Sequence, residues 1–334
     1  MPLLLLSRLR GLALLFLLAS AMELPAFAAP SDSASPVAGD FLTTLNGESS
    51  PYRIRSVFVL PGHNVTSSAA ERFDLEADAG DSEQIEPNVW IWKAPSQPGL
   101  YSLDLVPRDE DERVQVNVFV MVPYSAMKKN SIRGFRMGAY REGDGPYARP
   151  AGFIEVTEDN QDTWVSPRFQ LKQFLCKQKG GFPKFLLLRE ALLIKLELIL
   201  DKLIEEGVEE PALKVMSGFR TPAHNRSIGT VKNSRHTFGD AADVVVDSDE
   251  DGRMDDLNGD GKINFADSEF LKQVVLDVEA GQEVSPGGIG IYASSHSHGP
   301  FVHVDARGHV AHWTVMKVRK GKRKAKRKRR AVRT

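Results

Sequence analysis

Thiols are scarce: 334 residues contain one cysteine, Cys176. That excludes an intrachain disulfide framework and a thiolate-rich zinc ribbon, so a metal would have to be held by histidine and carboxylate. Long hydrophobic runs are scarce too. Beyond residue 28 no segment offers the roughly 18 uncharged apolar residues that a membrane-spanning helix needs. Net charge is nearly absent at −1, but its segregation is strong. Residues 317–334 carry twelve Lys or Arg and no acid; without them, and without the leader's two arginines and one glutamate, residues 29–316 hold −14. The 42% hydrophobic and 26% charged content excludes a disordered or collagen-like chain and is enough for about two domains of roughly 100–200 residues.

Residues 1–28 read as a secretory signal. Arg8 and Arg10 precede an apolar core, Gly11 to Ala21, and Ala26-Phe27-Ala28 supplies a small-x-small cleavage pattern. The expected location is therefore exported, periplasmic or extracellular. After a Pro/Ser/Ala-rich linker (29–37), residues 38–122 show short alternating runs between turn residues: Ser56 to Leu60, Val89 to Trp92, Leu100 to Val106 and Val114 to Val122. Val114, Val116, Val118, Val120 and Val122 should share one strand face, because strand side chains alternate with period two. The expectation is an all-β sandwich. Trp92-Lys93-Ala94-Pro95 followed by Pro98 to Leu103 resembles late strands of bacterial immunoglobulin-like modules. Such a module would either position wall substrate or merely space the next domain.

Residues 123–166 form a Gly/Pro/Tyr-rich connector, and a second domain is expected over 167–316. Apolar residues at three-to-four spacing predict helices over Phe169 to Lys177 and Phe185 to Glu206, with Gly207 as a stop. Arg189, Glu190, Lys195, Glu197 and Asp201 make the second a core helix rather than a membrane span. Cys176 reads as a buried structural thiol, since no general base stands near it in sequence.

Seven of the eight histidines fall between positions 224 and 312, which points to a site. In Ser234 to Val246 a histidine, His236, precedes by seven residues an aspartate, Asp243, that opens an apolar strand. A Gly-containing loop between them can fold back so that both side chains meet one ion. A third donor stands in Phe301-Val302-His303-Val304-Asp305. His236, Asp243 and His303 would make a zinc site with an open water position.

These residues resemble the zinc D,D-peptidases of the M15 family, which act on bacterial peptidoglycan or its precursors. The resemblance rests on Ser217 to Pro222, the His236-x₆-Asp243 block, Gly287-Gly288-Ile289-Gly290, and His303-Val304-Asp305 before Trp313. It implies an α+β domain with a small antiparallel sheet and packed helices, and it is nearest to the branch that also contains murein endopeptidases. The family's zinc ligands carry over to His236, Asp243 and His303, and its substrate-binding arginine to Arg220, whose guanidinium fork suits the acidic end of a peptide. Many relatives place a catalytic acid three residues before the last zinc histidine; position 300 here is Pro. Asp305, on the same strand face as His303, is the nearest substitute as proton carrier, and is equally placed to be a ligand or an outer partner. His296 and His298 lie in a nearby loop, placed either to hydrogen-bond a developing oxyanion or to stand exposed without a function, the commoner case for loop histidines. The implied reaction is zinc-assisted hydrolysis, trimming a terminal D-alanine or cutting a crosslink. The rival reading is a module that holds metal and wall peptides without cleaving them.

Between the two metal-bearing strands, residues 247–267 are unusually acidic. From Asp256 the spacing fits a twelve-residue calcium loop: Asp256, Asn258, Asp260, the Lys262 carbonyl, Asn264 and closing Asp267, with Gly261 at the sharp turn. An overlapping register takes Asp247, Asp249, Asp251, Gly252 and Asp255. Zn²⁺ and Ca²⁺ are thus the expected cofactors. The basic tail is expected to be disordered and to meet anionic envelope polymers or lipid headgroups rather than specific nucleic acid.

Overall fold

The computed structural model describes residues 38–108, 113–281 and 284–316; the expected leader, linker and basic tail lie outside these. The chain is mostly β-sheet with few helices. Two sheets come first. One is antiparallel, in the order Glu48–Tyr52, Ala38–Leu45, Asn64–Ala69, Val89–Lys93, Asp81–Glu86. The other runs Ile54–Val59, Val114–Val120, Gly99–Pro107, Phe73–Ala77, with its first pair parallel. They share one apolar cluster containing Phe41, Phe73, Trp92, Leu103, Leu105 and the valines at 114, 116, 118 and 120. Val122 departs from the expected face. The strand ends at Val120, and Val122 pairs instead with Phe153 and packs in the second, larger core.

Phe119, on the opposite face from the four valines, also belongs to that larger core, and its ring stacks on Phe58 at 5.6 Å. Beside it Asn117 donates to the Trp164 carbonyl at 2.8 Å. Two polar bonds tie the same sheets to the helix Glu190–Glu205: Arg55 Nε donates to Glu190 at 2.8 Å, and the Tyr52 hydroxyl to Asp201 at 2.6 Å.

The helix predicted over Phe169 to Lys177 is not formed. Phe169–Gln170 pairs with Trp164–Ser166, one 3₁₀ turn covers Leu171–Phe174, and residues 175–183 are irregular. Phe169, Leu171, Phe174 and Cys176 are all buried, but in a winding segment whose inward positions imitate a helical stripe. The second predicted helix starts at Glu190, because Lys184–Leu186 is taken as a strand by Gly152–Val156. Its buried Leu192, Leu196, Ile199 and Leu203 follow three-to-four spacing, and Gly207 beyond its end has φ +87°. Lys195 and Glu197 are buried in it with partners: Lys195 Nζ donates to Glu279 at 2.7 Å and to the Asp305 carbonyl at 3.0 Å, and Glu197 accepts from Ser166 at 2.6 Å. A further helix, Phe265–Gly281, packs against this one and begins inside the predicted calcium loop.

The last sheet has the order Leu213–Ser217, Ala241–Val246, Phe301–Asp305, Gly288–Tyr292, Ala311–Val315, antiparallel except for its final pair. Register aligns one row across all five strands: Ser217 opposite Asp243, Asp243 opposite His303, His303 opposite Gly290, Gly290 opposite Trp313. Residues opposite one another in a sheet project to the same face, so motifs far apart in sequence become neighbours.

Candidate metal centre and its cavity

His236 is brought to this row by a loop. It sits on a 3₁₀ turn, Arg235–Thr237, which returns to the Asp243 strand through Gly239 at φ +76°. A Cβ at 239 would collide with the Leu187 backbone, so the turn requires glycine. Arg235 locks the loop: it is buried, its Nε donates to Asp240 at 3.0 Å, its Nη1 to the Pro146 carbonyl at 2.5 Å, and its guanidinium lies 4.8 Å from the centre of the Phe238 ring. The Arg220 N–H donates to the His236 carbonyl at 3.0 Å, fastening Gly218-Phe219-Arg220 alongside.

His236, Asp243 and His303 meet, all three buried, with one donor atom of each within 4.8 Å of the others. His236 Nδ1 is 2.7 Å from the Gly218 carbonyl, which accepts only a proton-bearing nitrogen, so Nε2 faces inward with a lone pair. His303 Nε2 is 3.1 Å from Asp305 Oδ2, which leaves Nδ1 facing inward. These inward nitrogens are 3.1 Å apart, and Asp243 Oδ1 is 3.1 Å from the first and 2.9 Å from the second. When both rings are neutral, three lone-pair donors converge here, an arrangement that could hold a cation. The donor set, two imidazoles and a carboxylate with both outer ring nitrogens anchored, fits zinc.

Electrostatics agree with strong mutual coupling. Burial holds the pKa of His236 below the ordinary value. Burial opposes charge on Asp243 too, but the two histidines outweigh it and hold that carboxyl well below its usual range. For His303, burial is overcome by hydrogen bonds to Asp243 and Asp305, and the pKa is raised.

The centre opens into a cavity of about 550 Å³ whose wall includes Arg220, Tyr292, Arg307 and Trp313. Trp313 lies over Gly290, where any side chain would collide with the indole, and its ring centre is 5.0 Å from that of His303. Gly287 and Gly288 are required in the same way by the approach of Asp305. The Gly287-Gly288-Ile289-Gly290 signature is thus the clearance that lets Asp305 and Trp313 close around the histidine.

Asp305 is not in the position expected of a proton carrier. It is fully buried behind His303, does not line the cavity, and is held by the Gly288 N–H at 2.8 Å and by Arg307, whose Nε is 2.8 Å from Oδ1. Burial opposes its charge, but Arg307 and His303 keep its carboxyl far below the usual range, so it is a poor proton acceptor. Its geometry is that of the partner that orients His303. Arg220 lines the cavity as expected, but is committed on two sides: Nε donates to Ser217 Oγ at 2.8 Å, and Nη2 pairs with the outer oxygen of Asp243. Its Nη1 makes no hydrogen bond to any described residue. His296 is exposed, His298 bonds the Gly299 carbonyl, and neither lines the cavity. Cys176 is buried, with its sulfur 3.5 Å from the Thr221 N–H.

In the acidic insertion the structure gathers Asp247, Asp249 and Asp255 within 4.8 Å. Asp251 stands outside that trio and accepts from the Arg253 N–H at 2.8 Å. The carboxylates of Asp256, Asp260 and Asp267 do not gather in this way. Asp256 accepts the N–H groups of Asp260 and Gly261, and buried Asp267 those of Leu257 at 3.0 Å and Asn264 at 2.6 Å, at the start of the helix Phe265–Gly281. Asn258 accepts from Asp260, and Asn264 Nδ2 donates to the Lys262 carbonyl at 3.3 Å. The side-chain oxygens of Asp256, Asn258 and Asp267 thus accept from the loop's own backbone.

Sequence reasoning missed Arg235, Asp240, Tyr292 and Arg307. Tyr292 was within reach: two residues after Gly290 on one strand, it falls on the same face as the row through His303.

Residues 167–258 match the family model for Peptidase M15, about a quarter of the chain. The match takes in Arg220, His236 and Asp243 and stops before His303, which joins them through the sheet. No curated protein matches. A solved structure, an LD transpeptidase LdtMt1 in complex with imipenem, aligns at 12% identity over 25% of this chain and 41% of that one, with a TM-score of 0.16; a likeness at that level carries no argument. Among the described residues, no helix is long and apolar enough to cross a membrane. The family match, on a segment that carries two of three converging metal donors, supports an M15-family peptidase domain in this chain.

Proposed function

We propose that the protein is an exported zinc metallopeptidase that hydrolyses peptide bonds in bacterial peptidoglycan, as a D,D-carboxypeptidase or endopeptidase. The observation that carries this reading is the meeting of His236 Nε2, Asp243 Oδ1 and His303 Nδ1 at the wall of a cavity of about 550 Å³. A zinc ion there would polarise the scissile carbonyl and make water acidic enough to attack at neutral pH. The chain's own residues fix the geometry. Gly218 and Asp305 hold the two imidazole rings in the tautomers that face inward, and Arg220 offers its remaining guanidinium edge to the acidic end of a peptide.

The same reading gives the two-sheet unit over 38–122 a part in presenting wall substrate, supported by its polar bonds to the helix Glu190–Glu205. The basic tail would hold the enzyme to anionic envelope polymers or lipid headgroups. A calcium ion within 247–267 would order the connection between the two metal-bearing strands; the Asp247, Asp249 and Asp255 trio supports it. Calcium chelation with zinc restored should then lower the melting temperature, and an unchanged melting temperature would count against the ion.

A second reading, a metal-holding module that binds wall peptides without cutting them, is favoured by one observation: among the described residues, no carboxylate apart from Asp243 lines the cavity. Digestion of purified peptidoglycan, read by mass, separates the two. Wild-type protein should release products that His236→Ala does not; no product from either, with zinc bound to the wild type, would favour the binding module.

A further inference from the structure

Peptide hydrolysis places negative charge on the former carbonyl oxygen, and a donor already aimed at that oxygen lowers the barrier more than one that must turn towards it. Tyr292 stands in the same cavity with a hydroxyl whose proton is not taken by a described residue. Its phenol oxygen receives the Trp313 Nε1–H at 2.9 Å, and indole nitrogen can only donate. The tyrosine must therefore direct its own O–H elsewhere, and no described residue accepts it. The side chain lines the cavity together with His236, Asp243 and His303. Its ring is held flat against Phe301, with centroids 4.4 Å apart and planes 7° from parallel. Trp313 is itself fixed, over Gly290 and against His303.

We propose that the Tyr292 hydroxyl donates a hydrogen bond to the scissile carbonyl oxygen as that oxygen gains charge, with Trp313 as the residue that positions it. The proposal rests on the peptidase reading and adds a catalytic residue to it. In the step, the water oxygen bonds to the carbonyl carbon, the carbon–nitrogen bond breaks, and a water proton ends on the leaving amine. Tyr292 keeps its own proton throughout, so no oxidant, reductant or further reactant is needed. Burial, with Asp243 nearby, raises the phenol pKa against the opposing Trp313 bond, which keeps the group a donor across the neutral range.

Tyr292→Phe removes the hydroxyl and keeps the ring stacked on Phe301. The measurements are steady-state cleavage of a peptidoglycan-derived peptide, bound zinc, and the affinity of a phosphinate peptide that mimics the tetrahedral state. The expected result is a fall in kcat of about 10²- to 10³-fold, with KM and zinc content close to wild type. Phosphinate binding should weaken while binding of the product peptide is kept. Trp313→Phe should show a smaller fall in kcat in the same direction. Wild-type kcat in Tyr292→Phe, or unchanged phosphinate affinity, overturns the proposal. Loss of zinc or of the fold in Tyr292→Phe would also overturn it, by making the residue structural. Failure of wild-type protein to cleave any wall peptide is a different outcome, and sinks the peptidase reading itself.

Discussion

His303 presents its Nε2 to Asp305 Oδ2 at 3.1 Å, and the same carboxylate is pinned by Arg307 and the Gly288 N–H. The imidazole cannot turn without breaking a buried, charge-assisted bond, so Nδ1 stays aimed at His236 and Asp243. Asp305→Asn should therefore weaken zinc binding by about 10- to 100-fold while leaving most of the turnover at saturating zinc. A competition titration against a zinc chelator, paired with turnover in excess zinc, checks this. Unchanged zinc affinity with abolished turnover would instead make Asp305 the proton carrier.

Gly290 and Trp313 face each other across a parallel strand pair with no room for a methyl group. Gly290→Ala should displace the indole, costing about 1–3 kcal/mol of stability and shifting its fluorescence. Denaturant unfolding followed by tryptophan emission reads both.

Arg55 is buried between Glu190 and the Thr43 and Glu48 carbonyls, joining the first two sheets to the helix Glu190–Glu205. Removing one member of a buried pair costs about 3–5 kcal/mol, and Arg55→Ala should fall at the low end because Glu190 can escape by taking a proton. A single unfolding transition in wild type, shifted to lower denaturant in the variant, is the expected outcome.

Burial raises Glu197 from 4.5 to about 7, against the opposing bonds from Ser166 and Arg168. An acid whose folded pKa lies above its unfolded one binds more protons when folded, so its stabilising contribution is present below about pH 4.5 and is lost as pH rises to about 7. Relative to wild type, Glu197→Gln should thus gain in melting temperature between pH 5 and pH 7.5. Measuring the difference between the two proteins cancels the opposite trend from His236, whose depressed pKa favours the folded state as pH rises.

Much of the centre is legible in the sequence because strands have a two-residue period and sheets have registers. Asp243 opens a run of valines, His303 alternates with Val302 and Val304, and Gly290 has a glycine where a neighbour's ring must lie. The part of Asp305 was not decidable there. Strand alternation places it on the face of His303, but only the folded chain shows Arg307 turning back to occupy it. Phe169, Leu171, Phe174 and Cys176 misled for a related reason: every turn of that winding segment buries a residue, and burial at uneven intervals can imitate a helical stripe. The helix Phe265–Gly281 was hidden by its own acidic entry, since Asp267 reads as well for a calcium ligand as for the carboxylate that binds the loop's N–H groups.

Stoichiometric reactivation tests the central assignment most directly. Metal-free protein, folded by circular dichroism, would be titrated with zinc while cleavage of purified peptidoglycan is followed by mass. Activity should rise linearly and level at one zinc per chain, with no rise in His236→Ala or His303→Ala. Full activity in the metal-free protein, or in either variant, would contradict the assignment.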